Sequence, residues 1–181
     1  MEKIAALLVH PDPQARTTLR EYLGGVDFIR VVGEAVSAFE AGELLRAIPY
    51  GIVFLGVDLP GGISGLDLAR TLASRKNRPG LVFLAADESH AFAAFELGAS
   101  DYLLWPATAE RFERTIERLS RVKPAFQEIS APSAWQKADE PPGDEPTGDE
   151  ETVRLPLEEE EEDRFISALK QAWDLSQFKR P

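Results

Sequence analysis

The chain has 181 residues, 44% of them apolar and 28% charged, which suffices for a packed core and gives the length of one domain plus an extra segment. It has no cysteine, which excludes a disulfide framework, a thiolate metal site and a cysteine nucleophile. Its two histidines, His10 and His90, lie far apart and leave a zinc site or a histidine triad short of ligands.

The elements alternate between two periodicities. Lys3 to Val9 is a short apolar run and reads as a strand. Asp12 to Leu23 places Ala15, Leu19 and Leu23 on one helical face, with Asp12 as cap and Pro13 in the first helical position. Phe28 to Val32 is apolar and β-branched, a second strand. Ala38 to Ile48 is helical, with Ala41, Leu44, Leu45 and Ile48 on one face. Gly51 to Val57 is apolar throughout, as a strand buried on both faces requires. A loop at Leu59-Pro60-Gly61-Gly62 leads into a helix from Ser64 through Leu72. Gly80 to Ala85 is again fully apolar. Ser89 to Leu97 reads as a helix stopped by Gly98, Tyr102 to Leu104 as a short strand, and Thr108 to Leu119 as a helix capped by Thr108. Phe95 and Phe112 have the spacing of core residues.

Five strand–helix units in strict alternation predict an α/β fold. Its parallel strands are joined by right-handed crossovers, and helices cover both faces of one doubly wound sheet. Ligands in such a sheet sit beyond the carboxyl ends of the strands, so the residues after each strand are the ones to examine.

Three stretches at those strand ends resemble the receiver domain of two-component response regulators. They are Leu8-Val9-His10-Pro11-Asp12-Pro13-Gln14-Ala15-Arg16, Val53-Phe54-Leu55-Gly56-Val57-Asp58-Leu59-Pro60-Gly61 and Ala94-Phe95-Glu96-Leu97-Gly98-Ala99-Ser100-Asp101-Tyr102-Leu103-Leu104-Trp105-Pro106. The last looks like the receivers that precede LytTR-type DNA-binding domains. The resemblance covers about residues 3–122 and implies a flavodoxin-like five-stranded parallel sheet of order 2-1-3-4-5.

It also implies a chemistry whose residues are replaced here. A working receiver takes a phosphoryl group on an aspartate after the third strand. An acidic pair after the first strand holds Mg²⁺, while a hydroxyl after the fourth and a lysine before proline after the fifth hold the phosphoryl oxygens. The matching positions here are His10 and Pro11 for the acidic pair, Gly56 for the acceptor, Ala85 for the hydroxyl and Trp105 for the lysine. Glycine cannot be phosphorylated, and His10 with Pro11 makes no hard oxygen site for Mg²⁺. The expectation is a pseudo-receiver with no metal, no cofactor and no catalytic residue.

Asp58, two residues past Gly56, is a candidate displaced acceptor, and its plain alternative is a solvated loop acid. Asp12 is a candidate pocket acid, and its plain alternative is the helix cap. The Trp105 indole either fills the vacated acidic site or lies at the surface beside Pro106. The resemblance implies a cis Trp105–Pro106 bond.

The chain divides as a receiver-like domain at 1–123, an acidic Pro/Gly-rich linker at 124–162 and an amphipathic helix at 163–178. The net charge of −11 is concentrated in the tail. Residues 1–124 hold 14 Lys and Arg against 16 Asp and Glu, and residues 125–181 hold 6 against 15. Ser130 to Thr152 is too polar to bury a core and reads as disordered. Glu158 to Asp163 is a run of six acids, after which Phe165, Ile166, Leu169, Ala172 and Trp173 recur at helical spacing.

Taken together, these features lead us to expect an atypical receiver acting in signal transduction through phosphorylation-independent protein–protein contacts, with a protein partner or a second copy. The resemblance places that contact on the fourth helix, fifth strand and fifth helix, at Phe92, Asp101, Tyr102 and Arg111. The alternatives are the regulatory fragment of a LytTR-type DNA-binding transcription regulator without its effector domain, and a small-ligand sensor using the emptied pocket. The acidic tail argues against nucleic-acid binding by this segment. The absence of a long apolar run argues against a membrane span, so a soluble cytoplasmic protein is expected.

Overall fold

In the computed structural model, the structure describes residues 3–129, with side chains through Val122. Five strands alternate with five helices: β1 (Ile4–Val9), α1 (Pro13–Gly24), β2 (Ile29–Ala35), α2 (Ala38–Ala47), β3 (Ile52–Gly56), α3 (Gly65–Ala73), β4 (Gly80–Ala85), α4 (Ala91–Glu96), β5 (Asp101–Leu104) and α5 (Ala109–Ile129). The strands form one parallel sheet of order β2-β1-β3-β4-β5, the flavodoxin-like order expected.

The three central strands are buried along their whole length, which is why their sequences lack alternation. One core layer gathers Leu7, Val9, Val53, Leu55, Phe83 and Tyr102 beneath α2, α3 and α4. The other gathers Ile4, Ala6, Leu8, Phe54, Leu84 and Leu103 beneath α1 and α5. Phe112 anchors α5 in that second layer, with its ring 5.0 Å from Tyr22 and 6.0 Å from Phe54.

Helix ends follow local chemistry. Asp12 caps α1 by accepting from Gln14 N, with Pro13 in the first turn. Ser64 and Asp67 form a reciprocal capping box on α3. Gly98, at φ 76°, closes α4 in a Schellman motif, with Gly98 N donating to Phe95 O and Ala99 N to Ala94 O.

Several boundaries differ from expectation. β2 runs to Ala35, three residues past Val32, because an irregularity skips Val32 and lets Gly33 pair opposite Leu7. Gly33 carries no side chain because the Tyr50 hydroxyl occupies the space a Cβ would need. α4 begins at Ala91, two residues later than Ser89, since Asp87 and Ser89 close a turn of their own. Phe95 is on the outer side of α4 and 56% exposed, whereas Phe112 is buried. α4 has only six residues, and its inward face is taken by Ala94.

α5 continues past Leu119 and through Pro124 to Ile129. Residues 124–129, expected to begin the linker, therefore extend the helix. Proline forfeits one hydrogen bond there, to the carbonyl of Ser120, but its fixed φ is itself helical. The expected linker from 130 and the helix at 163–178 lie outside the described residues. Among the described residues, no helix is long and apolar enough to cross a membrane.

Asp101 joins β5 to α5. Its carboxylate is 1% exposed and accepts from Arg111 (2.9 and 3.0 Å), Thr115 (2.7 Å), Arg118 (2.8 Å) and the Tyr102 N–H (2.9 Å). Burial alone would raise its pKa, but these hydrogen bonds and the Arg111 charge outweigh it and hold the pKa below the ordinary value. A depressed pKa contributes stability that is complete above the unfolded-state value, near ~3.9, and fades as pH falls through the folded value.

Two outcomes follow. Asp101→Asn should lower the urea midpoint at neutral pH and flatten the loss of stability below about pH 4, read by urea titrations across that range. Gly65 needs no side chain, because a Cβ there would overlap the Gly56 carbonyl where α3 starts against β3. Gly65→Ala should cost about 1–3 kcal/mol or more by displacing α3, read from the same midpoints.

Candidate functional site

The residues singled out by sequence converge beyond the carboxyl ends of β1, β3, β4 and β5. Gly56 ends β3 and is buried. The three atoms nearest the position of a Cβ on Gly56 are His10 Cδ2 at 3.1 Å, Val9 O at 3.3 Å and Leu59 Cδ2 at 3.5 Å. His10 and Leu59 thus border Gly56 at the strand end, the imidazole closely and the leucine at ordinary contact distance. Leu59 was not a sequence candidate. It lies in the Leu-Pro loop, and nothing in its own pattern marks it.

His10 is held rather than free. Its Nδ1 accepts from Asp12 N at 3.1 Å, and Arg16 Nη1 donates to the His10 carbonyl at 2.7 Å and the Pro11 carbonyl at 3.2 Å. Arg16 also pairs with Glu34 at 3.1 Å, and Arg20 reaches the same carboxylate at 2.8 Å. Half-burial lowers the His10 pKa from its ordinary value, against the opposing pull of the Asp12 carboxylate. His10 is therefore neutral near pH 7 and accepts through Nδ1.

Asp12 is exposed and serves as the α1 cap, and Pro11 lies exposed in the bend between. Asp58 is exposed in the loop after β3. Among the described residues, no group of three or more His, Asp or Glu side chains could hold a metal ion. Ala85 ends β4, buried, and its carbonyl accepts from Trp105 N at 2.8 Å. The Trp105–Pro106 bond is cis. The Trp105 indole is half-buried and packs against the α1/α5 core layer, while the contacts above Gly56 come from His10 and Leu59.

Beside this end of the sheet stands the face made by α4, β5 and α5. Tyr102 points inward, 8% exposed, and its hydroxyl donates to the Asp87 carbonyl at 2.7 Å in the loop after β4. Burial raises its pKa. Arg111 is a third exposed, but its guanidinium is engaged by Asp101, by Thr115 at 2.9 Å and by the Tyr102 carbonyl at 3.0 Å. Of the four residues expected on this face, Phe92 and Arg111 reach solvent, and Asp101 and Tyr102 are buried. Sequence reading missed Thr115 and Arg118. Their spacing from Arg111, four and seven residues on, was the available signal.

Comparison with known proteins agrees with this geometry. The family model for the response regulator receiver domain matches residues 6–117. The transcriptional regulatory protein BtsR of Salmonella typhi is 39% identical over 127 residues, which are 70% of this chain and 52% of that protein. The sensory transduction protein LytR of Staphylococcus haemolyticus is 35% identical over 113 residues, 62% of this chain and 44% of that one. The chain thus spans about half the length of these curated relatives. Among solved structures, the response regulatory domain of mrkE from Klebsiella pneumoniae superposes with a TM-score of 0.63 at 24% identity, covering 67% of this chain and 98% of that one. Matching in family, strand order and the placement of its three strand-end motifs, this chain belongs to the response regulator receiver domains of two-component signalling.

Proposed function

We propose that this receiver signals without a phosphoaspartate, through protein contacts made in the single state its own packing favours. The observation that carries this is Gly56. The acceptor position has no oxygen to phosphorylate, and a Cβ there would stand 3.1 Å from His10 Cδ2 and 3.3 Å from the Val9 carbonyl oxygen. Three further features support it. His10 and Pro11 replace the Mg²⁺-binding acids, Ala85 offers no hydroxyl, and Trp105 places no cation at the strand end. With no phosphoryl group, no ligand drives a population shift of the loop after β4. The Tyr102–Asp87 hydrogen bond then favours one inward Tyr102 arrangement and a constant α4–β5–α5 surface.

One observation favours a second, compatible reading. BtsR is named a transcriptional regulatory protein, and this chain matches its receiver-sized half. We read the chain as the receiver part of a LytTR-type transcription regulator.

Incubation of the full chain with acetyl phosphate and Mg²⁺ tests the first reading by intact mass. No gain of one phosphoryl group is expected, and Mg²⁺ at millimolar levels should leave tryptophan fluorescence unchanged. A stoichiometric adduct mapping to Asp58 or Asp12 would overturn it. Gly56→Asp alone should remain unphosphorylated and lose about 1–3 kcal/mol of stability, because the new Cβ crowds His10 and the Val9 carbonyl.

A further inference from the structure

His10 and His90 are the only histidines of the chain. His90 is exposed at the start of α4, where its side chain makes no cap. His10 is half-buried, and its imidazole has a defined partner: Nδ1 accepts from the Asp12 backbone N–H at 3.1 Å. A ring nitrogen that accepts carries no proton, so the neutral ring holds its hydrogen on Nε2. Asp12 is engaged at both ends. Its N–H goes to the imidazole, and its carboxylate accepts from Gln14 N at 2.9 Å to cap α1.

Protonation reverses the first of these bonds. A charged imidazole donates from both nitrogens, so Nδ1–H then faces the Asp12 N–H, donor against donor. The backbone N–H loses its acceptor, and Nδ1–H needs one. The carboxylate of Asp12 is such an acceptor, and a bond between an imidazolium and a carboxylate carries charge on both sides. The ring and the helix end therefore compete for one carboxylate.

The charged groups facing His10 come from three elements. The turn into α1 brings Asp12, α1 itself brings Arg16, and the loop after β3 brings Asp58. The two carboxylates favour a charged ring, and Arg16 opposes it. Arg16 is engaged elsewhere, with Nη1 on the His10 and Pro11 carbonyls and Nε on Glu34 of β2. Gly56 and Leu59, which border the ring, are uncharged. Half-burial is the largest influence, so the ring is neutral near pH 7 and takes its proton only below the ordinary histidine range. The backbone around the ring is held independently of its charge. His10 N donates to Ala35 O at 3.0 Å, and Arg16 holds the next two carbonyls. A change at Nδ1 therefore falls on the Asp12 side chain rather than on the strand.

We propose that His10 and Asp12 form a proton-operated latch at the end of β1. With His10 neutral, the imidazole holds the Asp12 N–H and the Asp12 carboxylate caps α1. With His10 charged, Nδ1–H draws that carboxylate away from Gln14 N, and the first turn of α1 is released. The proton is then a ligand that binds one arrangement better than the other and so shifts their populations. The latch goes beyond the phosphate-independent reading and needs no part of it, since it uses neither Gly56 nor Ala85.

Nitrogen-15 NMR of the full chain, titrated from about pH 8 to about pH 4.5, tests this. At the upper end, His10 Nδ1 should resonate as an unprotonated ring nitrogen and Nε2 as a protonated one. On acidification, the Asp12 and Gln14 amides should shift with the His10 ring at one midpoint, the Gln14 amide moving upfield as its hydrogen bond is lost. In His10→Phe that shared step should vanish, leaving only the carboxylate step near about pH 4. In Asp12→Asn, which keeps a capping oxygen, the His10 midpoint should fall by about half a pH unit or more through loss of an attractive charge, and the Gln14 amide should no longer follow it. An Nδ1–H tautomer at the upper end overturns the proposal. So does a His10 titration that leaves the Asp12 and Gln14 amides in place, or a shared step that survives in His10→Phe. A phosphoryl adduct in the mass experiment bears on the earlier reading alone, so the two fail separately.

Discussion

The carboxylate of Asp101 is the interaction on which the packing of α5 against the sheet depends. It is buried at the start of the edge strand β5 and receives five hydrogen bonds, four of them from three side chains on α5. A lone buried carboxylate would shed its charge or pull water into the core. Surrounded by donors it stays ionised and fixes the distance and rotation of α5 against the sheet. The same contacts decide which side of α5 faces outward, and so where its arginines stand. Arg111 also reaches the Tyr102 carbonyl, which ties β5 to the helix beside it.

The strand-end site has a different origin. Parallel strands leave their carboxyl ends open to ligands. Here an imidazole and a leucine side chain lie beside the end of β3. His10 takes part in the loop's own hydrogen bonding through Asp12 and is pinned at its carbonyl by Arg16. Gly65 lets α3 begin directly against the Gly56 carbonyl. The sheet thus keeps the receiver strand order, with His10, Gly56, Ala85 and Trp105 at the strand ends.

Much of the fold was legible because it rests on strong local signals. Fully apolar runs at β1, β3 and β4, the caps at Asp12, Ser64 and Thr108, and Gly98 after α4 each state their element in a few residues. The end of β2 was hidden because an edge strand is half exposed, and Gly33 looks like a breaker until Tyr50 is seen to need its space. The extension of α5 through Pro124 was hidden because proline reads as a stop unless the following turn continues. In the site, the positions of His10, Gly56, Ala85 and Trp105 came from the strand-end motifs. The contact of Leu59 with Gly56, and the engagement of Arg111 and Asp101 with each other, depend on tertiary contacts that no spacing rule specifies.

The irregularity at Val32 has a consequence for how this protein can be recognised. A sheet of order β2-β1-β3-β4-β5 leaves two strands unpaired on one side, and an unpaired strand is a template for another chain's backbone. On β2 the skipped residue breaks the rhythm of the free amides and carbonyls halfway along, between the charged Arg30 and Glu34. On β5 the strand is four residues long. Neither border offers a ladder long enough to extend. Edge-to-edge pairing with another chain is thereby disfavoured at both borders of the sheet.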